Sequence, residues 1–243
     1  MSEADVYAGT YITNRRPFSG LEKFVWLMTR QTSADVTPDG YLVMQGGGDI
    51  ETWTPTEQPG HFQAVNSPQT ADFVIRDGEA VAFHPHGETD ALSRVGLLYQ
   101  RSVLLLFVLL AGAAAAITLI QPAIPFRRAL PGTRLQRRLN VAQLLAAAAW
   151  LIALGAVAVF ASAAENEGRL VFDWPGAPLL IASSAALFAS LLSAGVLIAL
   201  PLVWRGVEGW AFWRKLWFSA SSVIFCALGV QLALWGFLEP WAA

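Results

Sequence analysis

The stretch SVLLLFVLLAGAAAAITLI, residues 102–120, decides the fold of this chain. It holds no charged residue and is closed by Gln121 and Pro122. About 20 consecutive apolar residues are enough for a helix to cross the hydrocarbon core of a bilayer. A buried helix in a soluble body is the weaker reading, because such helices average about 11–12 residues. The run is read as a transmembrane helix over 102–121. Arg127, Arg128, Arg134, Arg137 and Arg138 follow it directly. Basic residues near a span are retained on the cytoplasmic side, so this loop is expected inside and everything before Ser102 outside.

Toward the C-terminus, apolar runs at about 140–163, 177–204 and 216–238 complete four expected spans, which return the chain to its starting side. The breaks on the inner side carry eight basic residues, the five arginines together with Arg205, Arg214 and Lys215, against Arg94, Arg101 and Arg169 outside. This asymmetry places both termini outside. Within RGVEGWAFWRKLW, residues 205–217, Trp210, Trp213 and Trp217 fall on one helical face beside Arg214 and Lys215, as a helix lying in the lipid headgroups requires. The spans contain no Asp, Glu, Lys, Arg or His, which argues against ion or proton transport. They do offer small residues four apart, at Gly112 and Ala116, at Ala185, Ala189 and Ser193, and at Gly229 and Ala233. Gln143 and Gln231 are placed to bond across helices.

Toward the N-terminus the composition turns over. Residues 1–101 hold 13 of the 18 acidic and 7 of the 16 basic residues, with many Gly, Pro, Thr and Asp. Two domains are expected, an extracytoplasmic one over 1–96 and a membrane domain over 97–243. No basic cluster lies on the first, which excludes nucleic acid as a partner. The single cysteine, Cys226, excludes a disulfide within the chain and a cysteine metal site, and reads as a packing thiol.

Val6–Thr13 is rich in Tyr, Val, Ile and Thr, as strands are. Ser19 and Glu22 have capping-box spacing ahead of a short helix whose Leu21, Phe24, Val25 and Met28 fall at i, i+3, i+4 and i+7. Pro38-Asp39-Gly40, Gly46-Gly47-Gly48, Pro59-Gly60 and Asp77-Gly78 then punctuate strands at 34–37, 41–45, 51–55, 61–65, 72–76 and 79–84. In the last pair, Phe73 and Ile75 are expected to share the buried face with Val81 and Phe83. The fold class is a small antiparallel β-rich domain, a meander or partly closed barrel with one helix, followed by a four-span helical membrane bundle.

Candidate site residues are few. His84-Pro85-His86 places two imidazoles on one face of a strand, the spacing of a metal pair, but no cysteine is at hand and no third ligand is identifiable, so solvated loop histidines are the preferred reading. The triple glycine is followed by neither Lys-Ser/Thr nor a helix and is no phosphate loop. No cofactor is expected.

The opening Tyr7-Ala-Gly-Thr-Tyr11, with Arg15-Arg16 and Leu21-Glu22-Lys23 after it, resembles the segment that follows the catalytic domain in bacterial β-lactamase-family serine hydrolases of the class C and penicillin-binding-protein-like group. In these the C-terminus continues as a small β-domain and several membrane spans, the order seen along this whole chain. The family's chemistry needs Ser-x-x-Lys, Tyr-x-Asn and Lys/His-x-Gly elements. None of the three occurs in this sequence, so no catalytic residue is assigned. Residues 1–20 also lack a basic segment followed by an apolar one, and an outside domain ahead of the first span calls for an export signal further upstream. The resemblance thus implies a non-catalytic membrane-anchoring module of a periplasmic hydrolase in the bacterial inner membrane, joined to or paired with a catalytic chain. The alternative is an independent integral membrane protein whose outer β-domain binds a ligand or protein partner.

Overall fold

The structure is a computed structural model that describes residues 6–46, 48–87, 89–121, 134–164, 174–205 and 210–242. The chain divides into two compact units, Met1–Phe18 with Glu22–Val103, and Ser19–Leu21 with Leu104–Ala243.

The first unit is a closed eight-strand barrel in which every strand pairs antiparallel with its neighbours in sequence and the last closes on the first. Its strands are β1 (Gly9–Thr13), β2 (Gln31–Val36), β3 (Leu42–Gly46), β4 (Asp49–Pro55), β5 (His61–Ala64), β6 (Thr70–Arg76), β7 (Glu79–Pro85) and β8 (Leu92–Arg94). Closure leaves no unpaired sheet edge. Side chains alternate between wall and interior. Tyr11, Leu42, Met44, Trp53, Phe62, Phe73 and Phe83 fill the inside, and Tyr7, just ahead of β1, packs against Phe62 and Phe73 with ring centroids 5.0 Å away in each case. An eight-strand barrel is only wide enough for such a filling. The Asp77-Gly78 turn has both residues at positive φ, 52° and 81°, the geometry that matches the twist of a tight hairpin.

Two expectations shift by a residue. In the β6–β7 hairpin the register changes between Val74 and Ile75, so Phe83 stays opposite Phe73 while Ala80 comes opposite Ile75, and Val81 has no partner. The extra residue flips the parity of β7: Ala80, not Val81, is buried, and Ile75 is 44% exposed. On helix α1 (Gly20–Thr29) the buried face is Leu21, Phe24 and Leu27, whereas Val25 and Met28 are only half-buried. Positions 21, 24 and 27 form a stripe that the i+4 and i+7 reading rotates past.

From Leu104 onward the second unit takes in α2 (Arg101–Ile120), and it holds α3 (Arg134–Ala164), α4 (Gly176–Trp204) and α5 (Phe212–Leu234), all four long and apolar enough to cross a membrane. Helix α3 starts well before the expected Asn140, taking in Arg134, Arg137 and Arg138, and α5 begins before Leu216 and ends at Leu234 rather than Leu238. Outward positions such as Leu109, Leu191, Ile198 and Val230 are exposed and apolar, the reverse of a soluble bundle. Packing partners are α3 with α4 and α4 with α5. Small residues permit it: α4 buries Ala182, Ser183, Ala186, Ala189 and Ser193.

Candidate functional site

On the outer wall of the barrel three strands bring together His61, Asp72 and His86. His61 opens β5, where the preceding turn holds its backbone from both sides: its N–H donates to Gln58 O at 3.1 Å, and Thr56 N–H donates to its carbonyl at 3.0 Å. Asp72 is its register partner on β6. Since Phe62 and Phe73 point inward, the alternation sends His61 and Asp72 outward. His86 follows the buried Pro85 at the end of β7 and is fixed by its N–H donating to Thr70 O at 2.7 Å.

The carboxylate of Asp72 lies between the two rings. Oδ1, closed to solvent, faces His61 Nδ1, and Oδ2 is 2.8 Å from His86 Nε2. The imidazoles are parallel, with centroids 6.3 Å apart. One nitrogen from each ring and a carboxylate oxygen all lie within 4.8 Å of one another, while the side chains remain 33–53% exposed. Such a set can share protons or hold a cation. Of the two histidines singled out in the sequence, His86 belongs to this group. His84 pairs in register with Asp72 but stands outside it. His61 and Asp72 were not singled out. They lie 11 positions apart, and only the antiparallel register of a two-strand pair makes them neighbours.

Between the β2–β3 and β4–β5 hairpins is a pocket of about 340 Å³ lined by Tyr7, Val36, Leu42, Pro59 and Phe62, with Glu57 as the one ionic side chain among the described residues that line it. Its size is at the lower end for small-molecule sites. Nearby, the Tyr11 hydroxyl donates to Tyr7 O at 2.9 Å. Burial pushes this phenol up to about 12, against the opposing pull of the Arg94 guanidinium.

In the second unit the basic ends of α3 and α5 meet. Val196, Val203, Trp210 and Phe218 form a cluster that Leu139 and Ala142 join, and Arg214 reaches Asn140 Oδ1 at 3.4 Å. The three tryptophans read as one face of a surface helix take separate places. Trp210 precedes α5 and is nearly buried, edge-on to Phe218 at 5.0 Å and under the Arg214 guanidinium at 4.7 Å; Trp213 is 75% exposed; Trp217 is half-buried. The reason is that α5 runs unbroken from Phe212 into the apolar run, leaving Trp210 outside any helix to fold back. Gln143, buried on α3, donates to Ser221 Oγ on α5, the cross-helix bond expected of it, and Gln231 is likewise buried. Arg127 and Arg128 lie outside the described residues, whereas Arg205 and Lys215 flank α4 and open α5.

The fold and these sites define a protein with a filled, closed antiparallel barrel and four helices able to cross a bilayer. No protein-family model, curated protein or solved structure matches the chain.

Proposed function

We propose that this chain is the non-catalytic, membrane-anchoring module of a periplasmic serine hydrolase of the β-lactamase-like class. Its barrel and C-terminus lie outside a bacterial inner membrane, and its arginine-bearing helix ends lie inside. One observation carries the reading. The barrel interior is taken up by Tyr11, Trp53, Phe62, Phe73 and Phe83, and the unit's one lysine, Lys23, is engaged on α1 over the Tyr99 ring at 5.8 Å. A serine without a neighbouring base is a poor nucleophile near neutral pH. The four apolar helices supply the anchor, and their order after the barrel is that of the enzymes resembled. The module's work is then to hold a catalytic domain at the membrane surface, where a tether replaces a bimolecular encounter by a high local concentration.

The experiment has two arms. The purified chain, incubated with a fluorescent penicillin and a fluorophosphonate and run on a denaturing gel, is expected to give no labelled band. Affinity capture from membranes is expected to bring down a polypeptide bearing Ser-x-x-Lys that does label. A stoichiometric band on the chain itself, removed by one serine substitution, would reject the proposal. The pocket between the hairpins favours a second reading, an independent membrane protein whose barrel binds a small ligand or a partner's side chain there. Capture of no hydrolase, with binding lost on Gly60→Trp, selects that one.

A further inference from the structure

We infer that His61, Asp72 and His86 form a binding site for a divalent first-row transition cation on the outer wall of the barrel. Two imidazoles and one carboxylate are the donor set that suits zinc, nickel, cobalt, copper or ferrous iron, and three protein ligands leave positions open for water or an anionic group. Magnesium and calcium prefer an all-oxygen shell and are not the expected occupants.

Geometry carries the argument. Bound at about 2.0–2.2 Å, the three ligand atoms would stand roughly 3–3.5 Å from one another. They already lie within 4.8 Å, so small rotations of partly exposed side chains complete the site without moving a strand. The backbone is fixed beforehand: the β4–β5 turn clamps His61, the ladder places Asp72 across from it, and the bond to Thr70 O holds His86 beyond the inward Pro85. Asp72 occupies the middle and touches both rings, which sets which imidazole nitrogens face inward and so preorganises the donors. A cation there would tie β5 to the ends of β6 and β7. It would lie beside the turn whose Thr56–Gly60 segment lines the hairpin pocket, so an anionic group presented at that turn is within the chemistry of its open positions.

The test uses the full chain in detergent, untagged and stripped with chelator, titrated with zinc chloride in a calorimeter and with copper chloride in an electron paramagnetic resonance tube. One zinc per chain is expected to bind saturably and raise the thermal midpoint, as any ligand selective for the native state does. Bound copper is expected to give hyperfine structure from two nitrogens. His61→Gln and His86→Gln, each confirmed folded by circular dichroism, are expected to weaken zinc on the order of tenfold or more, and Asp72→Asn on the order of tenfold. His84→Gln serves as the neighbouring control and is expected to leave zinc affinity unchanged. Absence of saturable binding at millimolar zinc overturns the inference, as does binding that survives His61→Gln with His86→Gln together. So does a loss on His84→Gln equal to that on His86→Gln, which would place the ion on the sequence pair instead.

Discussion

Gly229 and Ser190 approach so closely across α4 and α5 that a Cβ at position 229 would stand 2.7 Å from Ser190 Oγ and 3.1 Å from its Cβ. Close helix approach through small residues substitutes, in lipid, for the hydrophobic drive that packs soluble helices. Gly229→Val is expected to cost about 1–3 kcal/mol through overpacking. Gly229→Ala alone would gain helix propensity, so a net loss in that variant isolates the steric conflict. Pairing it with Ser190→Gly is expected to recover most of the loss, and thermal unfolding of the four proteins in detergent reads the coupling. Additive effects would show that the contact does not matter to stability.

Tyr11 makes the barrel sensitive to alkali. Its phenol is held neutral by burial, with its folded value raised to about 12 from an ordinary 10.0. Between those values the native state keeps a proton that the unfolded chain has lost, so stability present below pH 10 declines as pH rises toward 12. A two-unit shift corresponds to roughly 2–3 kcal/mol. Tyr11→Phe is expected to cost about 1 kcal/mol at neutral pH, for the bond to Tyr7 O, and to flatten the decline above pH 10. Urea unfolding at a series of pH values reads both, and an unchanged alkaline slope in the variant would discard the assignment.

Trp53 is buried with its Nε1 lacking a hydrogen-bond partner, and it packs edge-on to Phe83 at 5.4 Å. Trp53→Phe keeps an aromatic in place and removes a donor that folding strips of water, so it is expected to cost under about 1.5 kcal/mol. Trp53→Ala opens a cavity and is expected to cost about 3–5 kcal/mol, enough to leave a small domain barely folded. Near-equal losses in the two would mean that the indole nitrogen is satisfied.

Punctuation made the barrel legible in the sequence, since Pro38-Asp39-Gly40, Pro59-Gly60 and Asp77-Gly78 each sit at a hairpin. Closure was not legible, because it depends on β8, three residues long, meeting β1 across 79–83 positions of chain. The parity change at Val81 escaped for the same kind of reason: a bulge is invisible in an alternation pattern that continues on both sides of it. The four apolar runs read true to within a few residues except where helix continued into charged sequence, as at Arg134, because charge ends a span without ending a helix. His86 could be flagged by its neighbour His84, but its companions His61 and Asp72 are set by strand pairing, which a single sequence does not print.

The orientation set out in the proposal is tested by chemistry on intact cells. Arg134, Arg137 and Arg138 begin α3, Arg205 follows α4, and Arg214 and Lys215 lie in the first turn of α5, beside the α3 end at Asn140. Basic groups so gathered are expected to stay in the cytoplasm, since moving them across the membrane is opposed by potential and by the cost of dehydration. In a Cys226→Ser background, single cysteines at Ser67, in the β5–β6 turn, and at Thr133, just ahead of α3, are the probes. A membrane-impermeant maleimide is expected to label Ser67→Cys in whole cells. It should label Thr133→Cys only after permeabilisation. Labelling of Thr133→Cys in intact cells, or protection of Ser67→Cys there, reverses the topology and with it the periplasmic anchoring function.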